Sequence, residues 1–255
     1  MEFNLALILT SLTAVSGIVA GYNRFFYAPR LEASGQTASA PMATLIDYSR
    51  SFFPVLLFVL VVRSFVFEPF RIPSGSMMPT LIQGDYIFVK KFSYGLRLPV
   101  LEKKIFETGS PARGDVAVFR LPENPNINYI KRVIGLPGDE IVYRRHRLFV
   151  NGELVNSVAD DTAPGRGGLA RFVENLDGRE HAVLREGQGD RRGDGTFIVP
   201  EGQYFMMGDN RDRSKDSRFI GPIPETHLVG EAVLIWMHMD GIEWPDWGRI
   251  GTQIQ

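Results

Sequence analysis

The chain has 255 residues, enough for one substantial domain or two small ones. Its formal net charge of −1 gives no global reason to expect nucleic acid or another polyanion as a partner. It has no cysteine, which excludes disulfides, thiolate zinc sites and a Cys nucleophile.

Two apolar stretches occupy the first 70 residues. Residues 3–22 carry no charge and are long enough to span a bilayer. Met1-Glu2 precedes them and Arg24 follows, so the flank is not that of a secretory leader. Residues 51–67 form the second stretch, with Pro54 near its start and Arg63 near its end. It reads as a second span, with Arg63 snorkelling to the outer interface, or as a buried amphipathic helix. The expected division is a first transmembrane helix over 1–23, a cytoplasmic loop over 24–50 and a second transmembrane helix over 51–69. Arg24, Arg30 and Arg50 outnumber Glu32 and Asp47 in the loop, so the positive-inside rule puts the N-terminus outside. Two spans then return the chain to the outer face. The loop contains Ala38-Ser39-Ala40, a small-x-small sequence, but Pro41 follows it and makes it read as a linker.

Beyond residue 70 the pattern changes to short strands. Asp85–Val89, Asp115–Arg120 and Tyr129–Ile134 are apolar runs bounded by Gly and Pro. Arg147–Val150, then Asn151-Gly152, then Glu153–Val155 predicts a hairpin, because Asn-Gly accepts the positive φ values of a type I′ turn. Phe197–Val199, Tyr204–Met207 and Ala232–Met237 read as strands that re-enter the core. The stretch 156–195 is polar and rich in Gly, Arg and Asp, and reads as an inserted, looser subdomain. The expected fold is mainly β. A core over 70–150 and 200–255 is interrupted by an inserted subdomain over 151–199.

Three places carry chemistry. In Phe70-Arg71-Ile72-Pro73-Ser74-Gly75-Ser76-Met77-Met78-Pro79-Thr80-Leu81, a Ser beside Gly lies between two prolines. Rigid presentation of a hydroxyl suits a nucleophile, although the run alone reads more readily as a Pro-bounded turn with solvated hydroxyls. A Ser nucleophile needs a base. Of His146, His181, His227 and His238, the first lies in an Arg-rich run, the second in the polar insertion and the third in a polar connection after Pro224, and a His-based triad lacks support. Lys131 is flanked by apolar residues in Tyr129-Ile130-Lys131-Arg132-Val133-Ile134. On a strand it shares a face with Tyr129 and Val133, opposite Arg132. Desolvation there would lower its pKa; a fall to about 8 needs roughly 3 kcal/mol of differential destabilisation of the ammonium. A strand Lys pointing to solvent is the other reading. The third place is Gly208–Gly221, a loop dense in short polar residues. There Asp216 and Arg218 can pair with each other or with Arg132, and Ser214 can orient a Lys ammonium.

These runs, in this order and behind this anchor, closely resemble bacterial signal peptidase I. The matching boxes are PSGSMMPT (73–80), GDYIFVKKFSYG (84–95), GDVAVF (114–119), YIKRVIGLPGD (129–139) and GDNRDRSKDSR (208–218), with Pro200–Met207 before the last. The resemblance implies a membrane-bound serine endopeptidase that removes N-terminal signal peptides from exported preproteins. It implies Ser76 as nucleophile, Lys131 as general base, and an oxyanion hole from the Ser74 hydroxyl and the Ser76 backbone N–H. Ser214 would orient Lys131, and Asp216, Arg218 and Arg132 would form a supporting polar cluster. Phe70, Ile72, Met77, Leu81, Tyr129 and Ile130 would line the substrate cleft, selecting small side chains. No cofactor or metal is implied. The partners are preprotein signal peptides and the lipid bilayer, with no nucleic acid. The location is the bacterial inner membrane, multi-pass, with the catalytic domain on the periplasmic side. Trp236, Trp244 and Trp247 suit an interfacial role. Some relatives carry a disulfide in the insertion, which this sequence lacks. Two rival readings are a self-cleaving Ser–Lys protease and a non-enzymatic membrane-tethered binding module of the envelope.

Overall fold

A computed structural model describes residues 5–98, 103–161, 168–186, 191–239, 241 and 244–254. Met1 and Glu2, used above for topology, lie outside the described residues. The chain divides into two compact units: residues 1–67 with 96–106, and residues 68–95 with 107–255.

The first unit is helical. Helix α1 (Leu5–Tyr22) runs through a π turn into α2 (Ala28–Ser34), and α3 (Ala40–Val61) follows after a short break. The runs Leu5–Ser34 and Ala40–Val66 are each long and apolar enough to cross a membrane. The second helical run begins well before residue 51, so much of the stretch expected to be a loop is helical. Pro41 explains the start, since a proline in the first turn forfeits no hydrogen bond. Pro54 therefore stands inside α3. The two helices meet through small residues. Thr13 and Ser16 are buried on α1, as are Ile46 and Ser49 on α3. A Cβ on Gly17 would come within 2.7 Å of the Phe53 ring. The Thr13 and Ser16 hydroxyls donate to Leu9 and Thr13 carbonyls of their own helix, which spares them an unsatisfied polar group. A two-stranded ribbon of β3 (Leu96–Arg97) and β4 (Lys104–Phe106) completes this unit.

The second unit is almost all strand. Along the chain come β1 (Phe67–Arg71), β2 (Asp85–Lys90), β5 (Val116–Leu121), β6 (Asn124–Gly135), β7 (Glu140–Arg144), β8 (Arg147–Val150), β9 (Glu153–Leu154) and β10 (Asn156–Ala159). Then follow β11 (Ala170–Leu176), β12 (Arg179–Arg185), β13 (Gly195–Ile198), β14 (Gln203–Met207), the one-turn α4 (Ser217–Ile220), β15 (Ile223–Pro224), β16 (Leu228–His238) and β17 (Thr252–Gln253). The main sheet has the order β1-β2-β16-β5-β6-β14-β15, with β17 added to β16. The alternating sequence of β6 splits its side chains between two faces. Ile130 packs into a cluster with Ile72, Met77, Leu81, Ile87 and Val116, whereas Tyr129 and Val133 face a second cluster with Phe119, Tyr204 and Met206.

The predicted hairpin forms: Asn151 (φ 51°) and Gly152 (φ 82°) turn β8 into β9. These strands pair in the order β13-β7-β8-β9, so the boundary expected at residue 150 falls inside a sheet. Strands β10-β11-β12 form a separate sheet. The polar stretch expected to be loose is therefore ordered over these strands. Its inner end touches the main body, where Leu184 N–H donates to Asp209 O (2.8 Å) and Arg211 N–H to Leu184 O (2.9 Å).

Candidate active site

Lys131 and Ser76 meet. Lys131 Nζ donates to Ser76 Oγ at 2.8 Å and to its neighbour's carbonyl, Ile130 O, at 2.7 Å. Lys131 lies in the middle of β6, opposite Ala117 of β5, and is 4% exposed. Its Nζ stands 5.3 Å from the centre of the Tyr129 ring, on the face the strand period assigns. Burial pushes the Lys131 ammonium down to about 8, against the opposing pull of the Asp216 and Asp209 carboxylates. Desolvation is the decisive factor, as expected from the apolar neighbours of Lys131; the Arg132 guanidinium is engaged with Asp209.

Ser76 is half-buried in the turn between β1 and β2, and Ser74 is exposed beside it with the two hydroxyl oxygens 3.4 Å apart. The turn is anchored from below by Met77 and Leu81, each 0% exposed. Burying such side chains contributes roughly 1.5–3 kcal/mol apiece. Asn210 holds it from the side, donating its backbone N–H to Ser76 O (3.1 Å) and its Nδ2 to Gly75 O (3.0 Å). Thr80 Oγ1 donates to Asp209 Oδ2 at 2.5 Å. Asp209 in turn accepts from Arg132, Nε to Oδ1 at 2.8 Å and Nη2 to Oδ2 at 2.7 Å. Arg132 Nη1 donates to Gly114 O (2.7 Å). Burial raises the Asp209 pKa, but the Arg132 pairing outweighs it and holds the carboxyl below its ordinary value.

The supporting cluster therefore differs from the expected one. Arg132 pairs with Asp209 and not with Asp216. Asp216 binds Arg218 through both oxygens, to Nε at 2.8 Å and Nη2 at 2.9 Å, and accepts the Gly208 N–H at 2.9 Å. Ser214 is buried near this point, but its Oγ makes no hydrogen bond with the described residues, to Lys131 or any other. It is packed against Gly208. A Cβ there would lie 2.3 Å from Ser214 Oγ and 2.5 Å from Ser76 O. Gly208 lets the polar loop and the Ser76 turn approach this closely.

Among the residues expected to line a cleft, only Phe70 and Tyr129 are partly exposed, and Ile130 retains 7%. Ile72, Met77 and Leu81 are at most 2% exposed. They back the wall from inside the core and offer it no surface. Of the tryptophans, Trp244 and Trp247 are 89% and 71% exposed, while Trp236 stacks on Phe88 with ring centres 5.4 Å apart.

Several site residues escaped sequence reasoning, although a signal existed. Four Gly–Asp pairs share one arrangement. Asp85, Asp115, Asp139 and Asp209 each follow a Gly, are buried, and bind an arginine: Arg249, Arg179, Arg113 and Arg132 respectively. At these four places the dipeptide sets a buried carboxylate that fastens a loop between strands, whereas Asp194 of Gly193-Asp194 is exposed. Farther from Ser76, Glu174 of the inserted sheet is fully buried against Arg211 (Nη1 to Oε1 2.8 Å, Nη2 to Oε2 2.6 Å) and Arg185. The histidines stand elsewhere: His146 with Asp212, His238 with Asp85, His181 beside Glu174 and His227 beside Thr226.

The family described as signal peptidase, peptidase S26, matches residues 45–237. The chain is similar to a signal peptidase I of Pseudomonas fluorescens, with 46% identity over 96% of this chain and 94% of that protein. A signal peptidase I of Haemophilus influenzae is 32% identical over 94% of this chain and 88% of that one. A solved signal peptidase I from Enterococcus faecalis V583 is 28% identical, covering 49% of this chain and 98% of that chain, with a TM-score of 0.32. On the extent of these matches, the chain belongs to the signal peptidase family of serine proteases, peptidase S26.

Proposed function

We propose that this chain removes signal peptides from exported preproteins, with Ser76 as nucleophile and Lys131 as general base. The observation that carries the reading is the 2.8 Å contact between Lys131 Nζ and Ser76 Oγ, made by a lysine whose burial pushes its pKa down to about 8. A useful fraction of neutral amine is then available near neutral pH.

The cycle is acyl transfer. Neutral Lys131 takes the Ser76 proton as Oγ attacks the scissile carbonyl, and then gives that proton to the leaving amine. A water activated by Lys131 hydrolyses the ester. Ser74 Oγ, 3.4 Å from Ser76 Oγ, joins the Ser76 backbone N–H as donors to the oxyanion. Each such donor contributes a few kcal/mol in the transition state. Phe70, Tyr129 and Ile130 offer apolar surface to the substrate, shaped from behind by Ile72, Met77 and Leu81. Asp209–Arg132 and Asp216–Arg218 hold the loop that frames the site. Ser214 fills the space beside Gly208.

The two apolar helical runs anchor the chain in the inner membrane, with the strand-rich unit on the periplasmic side. Exposed Trp244 and Trp247 suit the lipid interface. The main sheet, β1-β2-β16-β5-β6-β14-β15, serves as the catalytic core, and the separate sheet β10-β11-β12 belongs to its insertion. A non-enzymatic binding module has no use for a buried amine held against a serine hydroxyl, so the Ser76–Lys131 contact weighs against it.

The test is incubation of a preprotein with the full chain in detergent. Wild type is expected to release the signal peptide, and Ser76→Ala and Lys131→Met to release none while keeping their circular dichroism. Ample cleavage by either variant would overturn the assignment.

A further inference from the structure

The carboxy-terminal segment reaches back to the Ser76 turn through one side chain. Arg249 ends the short helical turn Trp247–Arg249, just before β17. Its guanidinium points inward and is 22% exposed. Nη2 donates to the Thr80 carbonyl at 3.2 Å and to Asp85 Oδ2 at 2.5 Å, and Nε donates to Asp85 Oδ1 at 2.8 Å. Asp85 is fully buried, and it also accepts the Ile82 N–H (Oδ2, 2.8 Å) and His238 Nδ1 (Oδ1, 2.8 Å). One carboxylate and one guanidinium thus bind both residues that close the turn, Thr80 and Ile82, to the end of β16. Gly84 permits the approach: a Cβ there would lie 2.7 Å from Met239 O.

Thr80 is gripped from two directions. Its hydroxyl holds Asp209 and through it Arg132, while its carbonyl holds Arg249. The segment bearing Arg249 is itself fixed, with Gly251 N–H donating to Ile235 O (2.8 Å) and Ile254 N–H to Val233 O (3.0 Å). Three residues separate Thr80 from Ser76, and Leu81 N–H closes the intervening turn onto Met77 O (3.0 Å). A shift of the Thr80 carbonyl therefore moves Ser76 Oγ relative to Lys131 Nζ.

We propose that Arg249 is a positioning residue for Ser76, and that the segment from Trp247 to Ile254 belongs to the catalytic apparatus. The inference rests on Ser76 being the nucleophile. Arg249 touches neither substrate nor the reacting atoms; it fixes the far end of the turn that presents them. A planar guanidinium is required because three bonds leave it in a fixed fork, which lysine reproduces only in part.

The experiment is steady-state cleavage of a preprotein by the full chain in detergent, for wild type, Arg249→Gln, Arg249→Lys and Ser76→Ala. Positioning predicts that kcat of Arg249→Gln falls on the order of 10- to 100-fold. KM stays within about twofold, and the midpoint of the rise in rate with pH stays at the wild-type value, since Lys131 is untouched. Arg249→Lys recovers part of the loss. Unchanged kcat in folded Arg249→Gln, or a loss that merely tracks the unfolded fraction, overturns the proposal. Should Arg249→Gln fail to fold, Arg249→Lys carries the test: wild-type kcat in that variant overturns it, and a kcat-only loss supports it. Cleavage by Ser76→Ala would instead bring down the nucleophile reading, and the positioning role with it.

Discussion

Asn210 grips the Ser76 turn twice, its backbone N–H on the Ser76 carbonyl and its side-chain amide on the Gly75 carbonyl. The hydroxyl is thereby placed by its backbone, leaving Oγ free to meet Lys131. The site works as a rigid turn pressed against a buried strand amine, and its behaviour under mutation and pH follows from that geometry.

The rate should follow deprotonation of Lys131. With its pKa pushed down to about 8, kcat/KM should climb tenfold per pH unit below that value and level off above it. A pH–rate profile with wild type measures this directly. A midpoint near 6.5 would instead point to histidine.

Lys131 should cost stability at neutral pH. An amine that titrates at about 8 when folded and 10.5 when unfolded is disfavoured as its charged form in the fold. Lys131→Met should therefore stabilise the strand-rich unit by up to about 3 kcal/mol at pH 7. The gain should shrink as pH rises from about 8 and vanish above 10.5, where wild type is neutral in both states. Denaturant melts at several pH values read this out.

Gly208→Ala should inactivate the enzyme. The added Cβ would meet the Ser76 carbonyl at 2.5 Å, so either the loop or the turn must retreat. A displacement of about 1 Å costs on the order of 100-fold in rate. Preprotein cleavage and thermal melting, measured together, separate this from global unfolding.

Asp209→Asn should be expensive. It removes the bidentate partner of Arg132, which is 1% exposed, and leaves a buried cation uncompensated. Such losses run to about 3–5 kcal/mol. Urea unfolding of the variant checks the magnitude.

Acid should loosen the inserted sheet through Glu174. Burial pushes its pKa up, but Arg211, His181 and Arg185 together outweigh that and hold the carboxyl well below the usual carboxylate range. Its stabilisation is complete above the ordinary carboxylate pKa and is lost as pH falls below it. Glu174→Gln should show a shallower loss of stability on acidification than wild type, measurable by hydrogen exchange of β11 and β12.

The strands and the Asn-Gly hairpin were legible in the sequence because their signals are local: period-two alternation and turn chemistry. Lys131 was legible because apolar neighbours isolate it. The partners of the arginines were not. Arg132 could reach any of several carboxylates in the Gly208–Gly221 loop, and the sequence left Asp216 free to pair with Arg218 or with Arg132 without pointing to Asp209. The choice depends on how far β6 slides past β14, where a bulge sets the register between Phe205 and Met206. Burial of Met77 and Leu81 was likewise invisible, because a turn residue and a core residue look alike in a Pro-bounded apolar run. The start of α3 at Ala40 was missed since hydropathy marks where a helix is apolar and says nothing of where it begins.

The inserted sheet is fastened to the body by Glu174, Arg185 and Arg211 and by the backbone bonds of Leu184. Those links form as the chain collapses and require no oxidant. Maturation of this domain is therefore indifferent to the redox state of its surroundings: reductant should leave its folding yield unchanged, and it should acquire the same structure when synthesised in a reducing cytosol.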